Sequence, residues 1–271
     1  MITADIIADS ISEAGKRITT LSLYYPRFIH AEFMAHRMFS RNASSSRAIP
    51  TEKLIQDIIA NPVELVYWGK NMKGMQAQEE LNKSGKEWAQ IQWKVARNEA
   101  IIRARRLDDI GTHKQIVNRI IEPYSHIRVC VTATEWDNFF KLRLHPAAQP
   151  EMQALAKAMK DAMDASEPRL LTPGQWHLPY VSDEEQAEYG VTISKTLSVA
   201  RCARVSYRLH DGTPTHMQAD EELYKRLLVE QHMSPFEHQA TPFHHGITRS
   251  NNFYGWEQLR KQIEYAQPDL T

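Results

Sequence analysis

Residues 35–48, AHRMFSRNASSSRA, hold one histidine, three arginines, one asparagine and four serines, with no Asp, Glu or Gly among them. Guanidinium forks bind phosphate through paired hydrogen bonds, serine hydroxyls and successive loop N–H groups add donors, and the missing carboxylates leave an anion unopposed. The chemistry on offer is the binding of phosphorylated ligands. A solvated, serine-rich loop is the competing reading, and spacing separates the two. His36, Arg37, Ser40, Asn42, Ser45 and Arg47 fall on the pattern H-R-x-x-S-x-N-x-x-S-x-R.

A second block, residues 118–156, places Arg119 four positions before Pro123, then a strand-like stretch, then a helical stretch with Asn138, Leu142-Arg143 and Ala148-Gln149. Alone, Arg143 reads as a surface arginine at a helix C-terminus, where the macrodipole favours a cation. In order and spacing the two blocks resemble the signature and downstream region of the flavin-dependent thymidylate synthases. A third block, ARCARVSYRLHDG and DEELYKRLLVEQHMSPFEH (200–212 and 220–238), resembles what that family places ahead of its His-Arg motif. Here it follows the motif. A circular permutation accounts for this order, and permutation is tolerated where the old termini lie close together at the surface.

The resemblance implies an α+β fold with helices packed around a small antiparallel sheet. It implies one elaborated domain over 1–271: motif and catalytic region 17–166, an insertion 167–192, and 193–245 equivalent to the family's N-terminal part. It implies a homotetramer with active sites shared between subunits, FAD as cofactor, and NADPH and methylenetetrahydrofolate as co-substrates. The reaction implied is reductive methylation of deoxyuridine monophosphate to deoxythymidine monophosphate in the cytoplasm. Arg143 would stabilise charge on the pyrimidine. Arg47 and Arg119, with the backbone of Ser44, Ser45 and Ser46, would hold the nucleotide phosphate, and His36, Arg37, Ser40, Asn42, Asn138, Ser206, His232 and Ser234 would hold FAD.

Three positions depart from the family pattern. Its Arg before the His-Arg pair, the Gln three residues earlier and the Glu after the motif's Asn are here Ala35, Glu32 and Ala43. A carboxylate about 4 Å from a phosphate is repelled by roughly 4 kcal/mol at an effective dielectric of about 20, so Glu32 cannot replace that glutamine at the phosphate. It either turns to a cation such as Arg37 or contacts another part of the ligand. An ionised Glu accepts from a cytosine amino group, which makes deoxycytidine monophosphate or a 5-hydroxymethyl product the alternative outcome.

Other chemistry has weaker support. His232, Glu237, His238, His244 and His245 crowd one segment, but H-E-x-x-H does not occur, so no metal is expected and a histidine-dependent metal hydrolase is the lesser reading. A binding protein without turnover is another. Lys plus Arg and Asp plus Glu number 33 each, which provides no global field for nucleic acid or an anionic membrane, and RARR at 103–106 reads as a solvated helix face. Cys130 and Cys202 lack a CxxC and read as reduced core residues. No apolar run approaches the roughly 20 residues of a membrane span.

Positioning these residues requires particular elements. RITTLSLYY predicts a strand over 17–25 and Pro26 a helix from Arg27 to about Met38. Helical spacing predicts one long helix over 77–109, further helices over 114–122, 135–144, 149–165, 193–206 and 217–231, and a strand at HIRVCVTAT. Residues 1–15, 50–75 and 246–271 carry no assignment, and the prolines, glycines and acidic run of 167–190 read as irregular.

Overall fold

The computed structural model describes residues 1–206, 216–244 and 248–266, with the Ser206 side chain outside that set. In chain order the elements are β1 (Thr3–Ser12), β2 (Arg17–Pro26), α1 (His30–Met34), β3 (Ser40–Ala43), α2 (Thr51–Ala60), α3 (Lys83–Asp109), α4 (Lys114–Ile121), β4 (His126–Ala133), α5 (Asp137–Arg143) and α6 (Pro150–Asp164). There follow β5 (Arg169–Leu171), α7 (Asp183–Ala203), α8 (Met217–Val229), β6 (Ala240–Pro242), β7 (Arg249–Ser250), β8 (Phe253–Tyr254), β9 (Trp256–Gln258) and α9 (Leu259–Ala266).

The main sheet has the order β3-β4-β2-β1-β5. It is antiparallel except at one edge, where β5 runs parallel to β1. The fold is α+β with a mixed sheet, which refines the antiparallel expectation. β1 was unassigned from sequence; it hairpins onto β2 through Gly15, whose φ of 72° suits a residue without Cβ.

Strand alternation divides the sheet into two faces. Leu21, Leu23, Tyr25, Ile127, Val129, Val131 and Ala133 point to one side and pack against Met152, Leu155, Ala156 and Met159 of α6 and Phe139 and Phe140 of α5. Thr20, Cys130 and Thr132 point to the other, which is also buried. There the polar groups satisfy one another: Ser10 Oγ to His177 Nδ1 at 3.0 Å, His177 Nε2 to Thr20 Oγ1 at 2.8 Å, Thr20 to Thr132 at 2.6 Å, and Thr132 to His238 Nδ1 at 2.8 Å. Buried polar groups require such partners.

His177 belongs to the stretch read as an irregular insertion. That stretch instead forms β5, buries Trp176, His177 and Leu178, and enters α7 at Asp183. A capping box of Ser182 and Glu185 starts α7 about ten residues earlier than predicted, and non-helical Gly190 kinks it. α3 starts later than predicted because Asn82 caps it, accepting from Gly85 N–H. The helix predicted to Met38 ends at Met34, and Arg41 Nη1 donates to the carbonyls of Phe33, Met34 and His36. The turn lets Phe33 and Phe39 enter the same aromatic cluster. Among the described residues no helix is long and apolar enough to cross a membrane.

Candidate functional site

Phe139 and Phe140 anchor α5 in the core and leave Arg143 in its last turn, half-buried. Its Nε donates to Nε2 of His36 at 2.9 Å, and its Nη1 lies 3.5 Å from Glu32 Oε2. The His36 ring stacks on Phe39 and meets Phe139 edge-on, with centroids 5.8 and 4.8 Å apart. Burial, and then the charges of Arg143 and Arg41, lower the His36 pKa to about 4. The imidazole is therefore neutral at pH 7, with Nε2 as acceptor and the proton on Nδ1. His36, assigned by sequence to FAD, touches the catalytic candidate directly. Glu32 faces Arg143, and not Arg37.

Glu32 and Arg143 line a cleft of about 1380 Å³ between the α5–α6 turn and residues 65–78. Glu151, buried at the start of α6, fixes the far wall: its Oε1 accepts from Val66 N–H at 2.8 Å, and its Oε2 accepts from Gln149. Gln76 Nε2 donates to Ala147 O at 2.8 Å across the cleft. Neither Glu151 nor this wall was found from the sequence, where 50–75 carries no chemical motif.

The serine loop is less open than its composition suggests. Ser44 Oγ accepts from Arg128 N–H, and Ser44 O accepts from the Arg27 guanidinium. Ser46 Oγ donates to Glu122, and Arg119 Nη1 reaches both Glu122 oxygens at 3.1 and 3.0 Å. The loop contains no carboxylate, but α4 ends by placing one beside it. This corrects the picture of an unopposed anion site: Ser46 and Arg119 already hold Glu122. The signal in the sequence was the Arg119–Glu122 spacing, which puts both on one helical face. Ser45 and Arg47 are exposed.

The third block meets the first at Asn42. Asn42 Nδ2 donates to Ser234 Oγ at 3.2 Å, and Asn42 Oδ1 accepts from His238 Nε2 at 2.8 Å. Ser234, Arg37 and Asn138 are exposed, and His232 is exposed beside Glu230 at 3.3 Å. These amide, hydroxyl and cationic donors suit an anionic, hydroxyl-bearing ligand. Ser40 does not join them: it is buried, 3.0 Å from Asn252 Nδ2 and 3.4 Å from Gln258 Nε2. Strand alternation puts Ser40 on the same face of β3 as Asn42, but its hydroxyl is taken up by Asn252 and Gln258. The assigned Ser206 side chain lies outside the described residues.

Two of the solved structures similar to this chain are of the UMP/dUMP methylase PolB from Streptomyces cacaoi. The form bound with 5-Br UMP is 17% identical, with a TM-score of 0.48, covering 60% of this chain and 88% of that one. The form bound with 5-Br dUMP is 16% identical, with a TM-score of 0.45 and coverage of 60% and 90%. No curated protein sequence matches significantly. The model of the family described as thymidylate synthase complementing protein matches residues 17–169, from β2 through the motif, Arg143 and α6 to the first residue of β5. That span exceeds half the chain, and the chain belongs to the thymidylate synthase complementing protein family.

Proposed function

We propose that this protein is a flavin-dependent thymidylate synthase that methylates C5 of deoxyuridine monophosphate. The observation that carries the reading is Arg143, fixed by a neutral His36 at the wall of a cleft large enough for a nucleotide and a second ligand. A guanidinium held there stabilises negative charge that grows on the N3–C2 edge of a uracil as C5 becomes nucleophilic. FAD reduced by NADPH supplies the electrons, and methylenetetrahydrofolate the one-carbon unit. Arg37, Asn42, Asn138, His232 and Ser234 would hold the flavin. Arg47, Ser45 and Arg119 would take the nucleotide phosphate, Arg119 exchanging Glu122 for it. His36 orients Arg143, and the buried Glu151 ties the cleft wall to α6 through Val66 N–H.

A homotetramer with shared sites is part of this reading. It is supported by exposed Trp88, Ile91 and Val95, which recur at helical spacing on one face of α3. The permuted order of the third block is supported by the Asn42–Ser234 contact, by Ala240 packing in one cluster with Ile18 and Trp256, and by Trp256 Nε1 donating to Lys16 O at 3.0 Å.

Glu32 beside Arg143 favours one second reading: acceptance of a cytosine amino group, or water capture of the one-carbon intermediate to give a hydroxymethyl product. Incubation with each nucleotide, methylenetetrahydrofolate and NADPH, followed by mass spectrometry, separates these outcomes. Deoxythymidine monophosphate from the uridine nucleotide alone sinks the second reading. A colourless protein that forms no product from any nucleotide sinks both.

A further inference from the structure

The second face of the sheet carries a group of side chains that the proposed reaction does not use. Cys130 on β4, Cys202 in the last turn of α7 and His238 after the turn Ser234–Glu237 are completely buried, and neither cysteine forms a disulfide. The two Sγ atoms and one imidazole nitrogen lie within 4.8 Å of one another. Cys130 Sγ is 3.7 Å from His238 Nδ1. A tetrahedral zinc ion with sulfur at about 2.3 Å and nitrogen at about 2.05 Å has an S–N edge of about 3.6 Å, close to that separation. We propose that Cys130, Cys202 and His238 form a metal site for a thiolate-preferring divalent cation of the zinc type, which fastens α7 and the 234–240 segment to the sheet.

The surrounding hydrogen bonds suit that role. His238 donates its Nε2–H to Asn42 Oδ1 at 2.8 Å, which leaves the Nδ1 lone pair facing the cysteines. An outer carboxamide oxygen that fixes the tautomer is the usual support of a ligating histidine. Gln239 Nε2 lies 3.7 Å from Cys202 Sγ, an N–H···S contact that stabilises a thiolate. The Thr132 hydroxyl is 2.8 Å from Nδ1, and with Thr20 Oγ1 at 2.6 Å it has a second acceptor when a metal takes the lone pair. Tyr180 packs against the same cluster and shields it from solvent. On binding, two S–H bonds break, two metal–sulfur bonds form and two protons leave to solvent. The dication and two thiolates sum to zero charge, which a dry interior tolerates.

This inference does not depend on the proposed reaction, and its readouts are metal content and spectrum. Full-length protein from zinc-supplemented growth should retain about one zinc ion per chain after dialysis against a weak chelator. Cobalt(II) exchanged into the wild type should give intense sulfur-to-metal charge transfer and tetrahedral bands in the red, where a flavin does not absorb. Cys130→Ser and Cys202→Ser should each lose the metal, while His216→Ala, which removes an exposed surface histidine, keeps it. Wild-type protein without zinc and without the cobalt bands overturns the site, as does metal retained by both serine variants. A Cys130–Cys202 disulfide in protein purified under reductant also overturns it. The cobalt measurement uses wild-type protein and stands even if a serine variant fails to fold.

Discussion

Arg143 concentrates the chemistry that a single residue can test. Arg143→Ala should lower turnover by roughly 10²- to 10³-fold, about 2.7 to 4 kcal/mol, as when one donor to a developing anion is removed, with flavin still bound. Unchanged kcat would remove the residue from the mechanism. The same contact sets the state of His36. Its lowered pKa has burial as the larger cause and Arg143 as the next, so in Arg143→Gln an NMR titration should find it shifted from about 4 toward, but not reaching, 6.5. In the wild type, falling pH through about 4 converts Nε2 from acceptor to donor opposite a guanidinium, and the Arg143 contact is lost there. An unshifted His36 in the glutamine variant would show that the Nε–Nε2 bond is not formed in solution.

At the scale of elements, a buried carboxylate at the start of α6 ties the cleft wall to the core at Val66. Glu151→Ala removes the acceptor for Val66 N–H and leaves the Gln149 side chain without its partner. The expected cost is about 2 kcal/mol in denaturant unfolding, the size for a buried hydrogen bond to a charged group. The Val66 amide should lose hydrogen-exchange protection while β4 amides keep theirs. Equal loss in both would mean that Glu151 supports the whole core and not the cleft wall.

For the whole molecule, acid stability and assembly follow from burial. His177 sits completely buried between Ser10 and Thr20, and desolvation lowers its pKa from 6.5 to about 3. Above pH 6.5 both folded and unfolded chains hold it neutral, and its stability is intact. As pH falls, the unfolded chain takes the proton first, so stability drains between about 6.5 and 3, by an amount on the order of 5 kcal/mol at completion. His177→Asn should be less stable at neutral pH yet show a shallower loss between pH 6.5 and 4. An unchanged slope would place the acid sensitivity elsewhere. The α3 stripe makes a separate prediction for the proposed tetramer: Ile91→Asp should reduce the mass seen by light scattering below the wild-type value without altering the circular dichroism of the subunit, and a wild type that is itself a monomer would sink the proposed assembly.

Local signals were enough to find β2, β4, α5 and α6, because period-2 and period-3.6 patterns and the prolines that bound them act over a few residues. The spacing of the His-Arg motif and of Arg143 was likewise readable from the chain alone, and with it the family. Other features depended on which distant segments meet. Glu122 neutralises part of a loop that looks purely cationic, Ser40 is buried against Asn252 and Gln258, and His36 meets Arg143 from a distant helix. β1 and His177 escaped because their polar residues look solvent-facing until α7 and the 234–240 segment cover that side of the sheet. The cluster of Cys130, Cys202 and His238 has no spacing to read, since its members come from a strand, a helix end and a loop separated by up to 108 residues. Only close packing, which makes buried polar groups find partners wherever the chain delivers them, brings such atoms together.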